Sequence, residues 1–192
     1  MRTAVLVVTA ALGLTLVGCG GPPAPAPAAG PPDPASVPTA PPAGAASDDE
    51  AGCAVSAADL SAATGLTFEF GRRERTHELE TVPGVTADVC GFTIPDRPQA
   101  YGDLILLRVD VTEGAGAERV RTEWERSCTD NGGTATDSSA ASGARTCARK
   151  GALPEGLVGD GDRVVNAYYV SADDSDAAEL NASFDKVLAA LR

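Results

Sequence analysis

The residues best placed to do chemistry in this chain are its five cysteines. Cys19 stands alone at the end of an apolar run near the start of the chain. Cys53, Cys90, Cys128 and Cys147 are spread through the remainder. An even set in an exported chain reads as two disulfides. Three pairings are open, and Cys53–Cys90 with Cys128–Cys147, which join neighbours in sequence, are favoured. Each would stabilise the fold by about 3–4 kcal/mol in the chain-entropy account. Zinc binding needs close ligand pairs such as C-x-x-C, and none is present. The only histidine, His77, lies in a polar stretch far from any cysteine in sequence, so no metal site is expected.

Other candidate groups read as structural. Ser61, Ser127 and Ser171 lack a nucleophile elbow of the G-x-S-x-G type, and His77 reads as an exposed loop residue. Asp160 and Asp162 in G-D-G-D-R lack the further regularly spaced oxygen ligands of a calcium loop, and a turn is the simpler reading. The Arg72, Arg73, Arg75 cluster could meet an anionic partner, but Glu74, Glu78 and Glu80 dilute its field. Trp124 reads as core, and Asn181-Ala182-Ser183 matches a glycosylation sequon only formally. No phosphate-binding loop occurs among the 21 glycines. No catalytic residue, metal or cofactor is expected, and no ligand-binding residue is assigned.

The first residues explain Cys19. Met1-Arg2-Thr3 is a short positive start, and Ala4 to Val17 is apolar apart from Thr9 and Thr15. That run is too short to span a bilayer comfortably and has the pattern of a secretory signal peptide over residues 1–18. It ends in Leu16-Val17-Gly18-Cys19, which resembles the bacterial lipobox. The resemblance implies a diacylglyceryl thioether on Cys19, which would become the mature N-terminus. One acyl chain holds a protein marginally, whereas two or more anchor it stably.

Residues 19–51 form the next segment. Ten of the fourteen prolines lie between Pro22 and Pro42. Pro, Ala and Gly offer no apolar face to bury, so this stretch reads as a disordered linker. Proline-rich chain extends by about 3.1 Å per residue, so it could reach on the order of 90 Å. It would lift a domain clear of the membrane. The acidic Asp48-Asp49-Glu50 run that closes it reads as a solvated hinge.

Charge excludes some partners. The 192 residues carry a formal charge of −12, and removing Arg2 with the leader leaves 14 basic against 27 acidic residues. Nucleic acid is not an expected partner, because its affinity comes from Lys and Arg neutralising phosphates. Anionic head groups should weakly repel such a chain. The excess of Arg over Lys, with abundant Ala, Gly and Pro, is the composition of a high-GC bacterial genome.

Residues 52–192 are expected to form one α+β domain, a mainly antiparallel sheet flanked by helices. Ser56 to Gly65 reads as a short helix, capped by the Ser56 hydroxyl and stopped by Gly65 in a left-handed conformation. Leu66, Phe68 and Phe70 alternate with polar residues as one strand, and Arg72 to Gly84 reads as a polar loop or hairpin arm. Val89 to Ile94 is a second strand, ended by Pro95 and Pro98. Leu104 to Val111 is the strongest strand: Ile105, Leu107, Val109 and Val111 share a face, with Arg108 and Asp110 opposite. Leu104 and Leu106 make its start apolar on both sides, as under helices.

Ala117, Val120, Trp124 and Cys128 recur at helical spacing over Gly114 to Cys128. Gly143 to Lys150 reads as a strand carrying Cys147, Asp160-Gly161 as a tight turn, and Arg163 to Ser171 as a strand with Tyr168 and Tyr169 on opposite faces. A last helix from near Asp173 carries the stripe Leu180, Phe184, Val187, Leu188 and Leu191, with Asp173, Asp174 and Asp176 capping its start.

Together these pieces resemble a family. A lipobox, a Pro/Ala linker, the opening Cys53-Ala54-Val55-Ser56-Ala57-Ala58-Asp59-Leu60 and the strand Val89-Cys90-Gly91-Phe92 are similar to the small actinobacterial lipoproteins catalogued as domain of unknown function 3558. The shared motifs are a capped helix and disulfide positions, and the resemblance implies no catalytic residues. The expected protein is a membrane-anchored extracytoplasmic lipoprotein of the cell envelope that binds a partner or ligand without catalysis. Two alternatives stand beside it: a lipid or small-molecule carrier with a pocket between sheet and helices, and an envelope hydrolase whose carboxylates meet only in three dimensions. Oligomeric state is left open.

Overall fold

A computed structural model of the chain describes residues 49–98, 104–150, 152–159, 161–170, 172 and 174–191. Residues 1–48, where a signal peptide, a lipid-bearing Cys19 and most of a linker are expected, lie outside these residues. So do Asp160, Ser171 and Asp173.

The described chain folds as a seven-stranded antiparallel sheet with three α-helices, an α+β architecture. A 3-10 turn at Glu50–Gly52 leads into α1 (Ala57–Thr64). Then follow β1 (Glu69–Glu78), β2 (Thr86–Pro98), β3 (Leu104–Glu113) and α2 (Ala115–Asp130). The second half runs β4 (Thr134–Asp137), β5 (Arg145–Ala148), β6 (Glu155–Val158), β7 (Arg163–Val170) and α3 (Asp174–Ala190). Two meanders, β1-β2-β3 and β4-β5-β6-β7, meet where β3 pairs with β7, giving the order β1-β2-β3-β7-β6-β5-β4.

The ends of α1 follow from its sequence. The Ser56 hydroxyl accepts the Asp59 N–H at 3.1 Å, and Gly65 closes the helix at φ 81°. That left-handed conformation costs a glycine little and a side chain more.

The alternation of β3 sends Ile105, Leu107 and Val109 to one face. There they pack with Phe92, Val165, Ala167 and Tyr169 under Leu60 of α1 and Leu180, Phe184, Val187 and Leu188 of α3. On the opposite face the helix is α2, with Ala117, Val120, Trp124 and Cys128 on Val89, Leu157 and Val164. The β1–β2 connection adds Leu79, Val82 and Val85 to this second cluster. Disulfides join Cys53 to Cys90 and Cys128 to Cys147, closing loops of 37 and 19 residues. Gly133 lies against the second bond so closely that a Cβ there would come within 2.8 Å of both sulfurs.

Several expectations need correction. Of the two forms open for Arg72 to Gly84, loop or hairpin arm, Arg72 to Glu78 takes the second: it is most of β1, held by antiparallel pairing to β2 despite its polarity. Pro95 does not end β2. The strand runs through it because the proline falls beyond the β1 pairing and inside a register irregularity with β3, where no ladder N–H is needed. Strands β4 and β6 were not expected from sequence; each has four residues. Leu104 is not covered by a helix and is 40% exposed.

Glu50 is not a solvated hinge residue: it is buried, and its Oε1 accepts the Ala57 N–H at 2.6 Å. Of the acids expected to cap α3, Asp176 instead pairs, together with Glu179, with Arg97 of β2. Among the described residues no helix is long and apolar enough to cross a membrane.

A polar cleft beside the second helix

The register of the sheet lines up one row of residues across all seven strands: Arg72, Gly91, Arg108, Tyr168, Glu155, Cys147 and Ala135. The adjacent row contains Val89, Asp110, Asn166 and Leu157. Both rows fall on the α2 face. The helix and the Leu79–Val85 connection cover the end of this face near Thr112 and Val164. A cleft of about 390 Å³ opens where that cover stops. Its walls are His77, Arg108, Asp110 and Tyr168 from the sheet, Trp124 and Ser127 from α2, and Arg149 beside Glu155.

Two ion pairs occupy the floor. Arg108 Nε donates to Asp110 Oδ1 at 2.8 Å, and the carboxylate is 6% exposed against 25% for the arginine. Arg149 donates to Glu155 at 2.8 Å. Burial pushes the pKa of both carboxylates up, and their arginines offset only part of that rise. Burial, together with the Asp110 charge, also pushes the Tyr168 phenol well up, so it stays protonated. The Arg108 guanidinium sits 5.7 Å from the Tyr168 ring centre, a cation–π distance.

Three buried polar atoms here have no hydrogen-bond partner: Asn166 Oδ1, Trp124 Nε1 and Arg149 Nε. The Trp124 N–H lies near the Glu155 carboxyl and favours its charged form, yet makes no well-formed bond. An unsatisfied buried group costs about 1–3 kcal/mol, so such atoms are places where a ligand gains affinity.

The arrangement suits binding better than proton transfer. Each buried carboxylate is already bonded to an arginine, which opposes release of a free acid or base. Nor does the cleft hold an activated nucleophile. Ser127 hydrogen-bonds to Asn131, and His77 Nδ1 lies 2.9 Å from Glu74.

A second cavity of about 680 Å³ lies between the Glu50–Ser56 segment and Arg73, Thr76 and Asp88. It is larger, but it abuts the point where the described chain begins. Its chief ion pair, Arg73–Asp88, is a strut: the arginine lies over Gly52, whose Cβ would collide with it, and it holds the Asp88 carboxyl below its usual range.

The structure redistributes the sequence candidates. His77 is not an exposed loop residue but a half-buried member of β1 that lines the cleft. Trp124 is both core and cleft wall. Arg72, Arg73 and Arg75 do not act together, being paired to Glu74, Asp88 and Asp49. Asp162 is exposed in a turn, and its carbonyl accepts the Gly114 N–H. Ser61 bridges α1 to Phe68, and Ser183 is buried and bonded to the Leu180 carbonyl. No group of three or more metal-ligating side chains occurs among the described residues.

Arg108, Asp110, Arg149, Glu155, Asn166 and Tyr168 went unassigned in the sequence. The available signal was the Arg108/Asp110 pair two residues apart, facing away from a strand's apolar side. No family model, curated protein or solved structure matches the chain.

Proposed function

We propose that the protein is a lipid-anchored extracytoplasmic binding protein of the cell envelope, and that its ligand is a small molecule held in the α2 cleft. The observation that carries the ligand reading is the two partly buried ion pairs with unpartnered Asn166 Oδ1 and Trp124 Nε1 around a 390 Å³ opening. That volume lies in the range of small-molecule pockets. The anchor reading rests on Leu16-Val17-Gly18-Cys19 and the proline-rich segment after it.

Two experiments test the two halves. Metabolic labelling with palmitate tags the wild type and not Cys19→Ala; label on both sinks the anchor. For the ligand, the full mature chain is incubated with the small-molecule fraction of an envelope extract and examined by native mass spectrometry. Wild type retains a small molecule, and retention drops at least tenfold in Asn166→Ala/Tyr168→Phe with an unchanged circular dichroism spectrum. Equal retention by both proteins removes the cleft as the site.

A further inference from the structure

Two neighbouring features of the α2 face fix the chemistry of the ligand. The first is the balance of the cleft. Arg108 and Arg149 are each neutralised by a carboxylate within the protein. What remains for a ligand is an acceptor at Asn166 Oδ1, donors at Trp124 Nε1 and Arg149 Nε, and the Tyr168 oxygen, which can accept while its proton is directed to Asp110. A simple anion would meet the carboxylates and a simple cation the arginines. Hydroxyl groups, which donate and accept at once, match all of these atoms.

The second feature is the apolar strip beside it. Leu106 faces Val170 across the β3–β7 seam, one step along the same face from Arg108 and Tyr168, about 7 Å away. Leu104 and Val170 are 40% and 37% exposed, the only large hydrophobic side chains among the described residues so open to solvent. Leu106 lies flat over Gly91, where a Cβ would come within 3.1 Å of it.

We infer that the ligand is amphipathic: an uncharged, hydroxyl-rich head sits among Arg108, Asp110, Asn166 and Tyr168, and an alkyl tail runs along Leu106, Val170 and Leu104. This rests on the cleft being the ligand site. The strip is short and bordered by polar groups, as suits one chain rather than a protein surface.

The test uses the full mature chain made without lipid through Cys19→Ser, in detergent-free buffer. It is titrated with hexyl, heptyl and octyl glucoside below their micelle concentrations, and with glucose, octanoate and octyl phosphocholine. Trp124 is the only tryptophan, so its emission reports the cleft directly. Methyl NMR reports the leucines and Val170.

The glucosides bind saturably, and each added methylene tightens binding by up to about fourfold. Leu104→Ser/Val170→Ser flattens that series, and Asn166→Leu removes the preference for glucoside over octanoate. Affinity independent of chain length overturns the tail. Tighter binding of octanoate or octyl phosphocholine overturns the uncharged head. No response to any glucoside overturns the inference as a whole. In the first two cases Trp124 still responds and the cleft survives as a site; saturable binding that leaves Trp124 and its neighbours unmoved overturns the cleft as well.

Discussion

The face of the sheet under α1 and α3 and the face under α2 are built from the same strands. On β3 and β7 the first presents Ile105, Leu107, Val109, Val165 and Ala167, all but sealed from water. The second presents Arg108, Asp110, Asn166 and Tyr168, two residues away from half-buried Leu106 and exposed Val170. Two helices cover one side and a single helix covers part of the other. The first face therefore carries the larger share of the hydrophobic burial, and the second can leave polar atoms unpaired. Burial also acts differently on two Arg–Asp pairs. Asp88, at the rim of the sheet, has its pKa lowered by the Arg73 hydrogen bond, whereas Asp110, deep in the cleft, has its pKa raised by desolvation.

The largest effect should come from the sealed face. Phe92→Ala is expected to cost about 3–5 kcal/mol in urea unfolding. A loss below about 1 kcal/mol would show that this face is not the main core. Next come the disulfides. Replacing Cys53 and Cys90 by serine opens the 37-residue loop, and replacing Cys128 and Cys147 opens the 19-residue one. The expected costs are about 4 and about 3 kcal/mol. The reverse ranking would mean that the α2 face depends on its staple more than loop length implies.

A smaller effect separates the two aspartates. Arg108→Leu leaves Asp110 buried without its partner and should destabilise by about 1–3 kcal/mol at neutral pH. The sign with pH follows from linkage. Asp110 has a folded pKa above its unfolded value, so its ionisation counts against the folded state at neutral pH. That penalty is relieved as pH falls from the folded pKa to the unfolded one. Asp88 has a folded pKa below its unfolded value. Its stabilisation is present above the unfolded pKa and lost as pH falls through the folded one. Unfolding midpoints from pH 7 downward should show the Arg108→Leu deficit shrinking with acid, while Asp88→Asn removes part of the acid loss. Parallel curves would erase the contrast. Smallest of all, Leu104→Ser and Val170→Ser should each move stability by no more than about 0.5 kcal/mol, read as melting temperature.

Most of the sealed face was legible in the sequence because periodicity reports burial. The stripes of α2 and α3, the alternation of β3, the α1 caps and the neighbour pairing of cysteines all carry their own signal. The cleft carried much less. Glu155 and Arg149 belong to a four-residue strand and the loop before it, too short for any period, and Glu155 meets Tyr168 and Arg108 only through the register. Leu104 and Leu106 gave a misleading signal: an apolar residue opposite an apolar face implies a cover, and here the cover stops short. His77 and Glu50 misled in the opposite way, since isolated polar residues look solvated until tertiary contacts enclose them.

The seam between β3 and β7 has a kinetic meaning. Each meander is local in sequence, and each half of the fold contains one complete disulfide, Cys53–Cys90 on the first side and Cys128–Cys147 on the second. Oxidation within either half does not require the other to have arrived. Only the β3–β7 ladder joins strands more than fifty positions apart, bringing Val111 to Val165 and Leu106 to Val170. Among the strand pairings its closure costs the greatest loop entropy, and it should set the refolding rate of the oxidised chain. The α2 cleft straddles that ladder, so ligand competence should appear last, together with the slow phase in stopped-flow Trp124 emission.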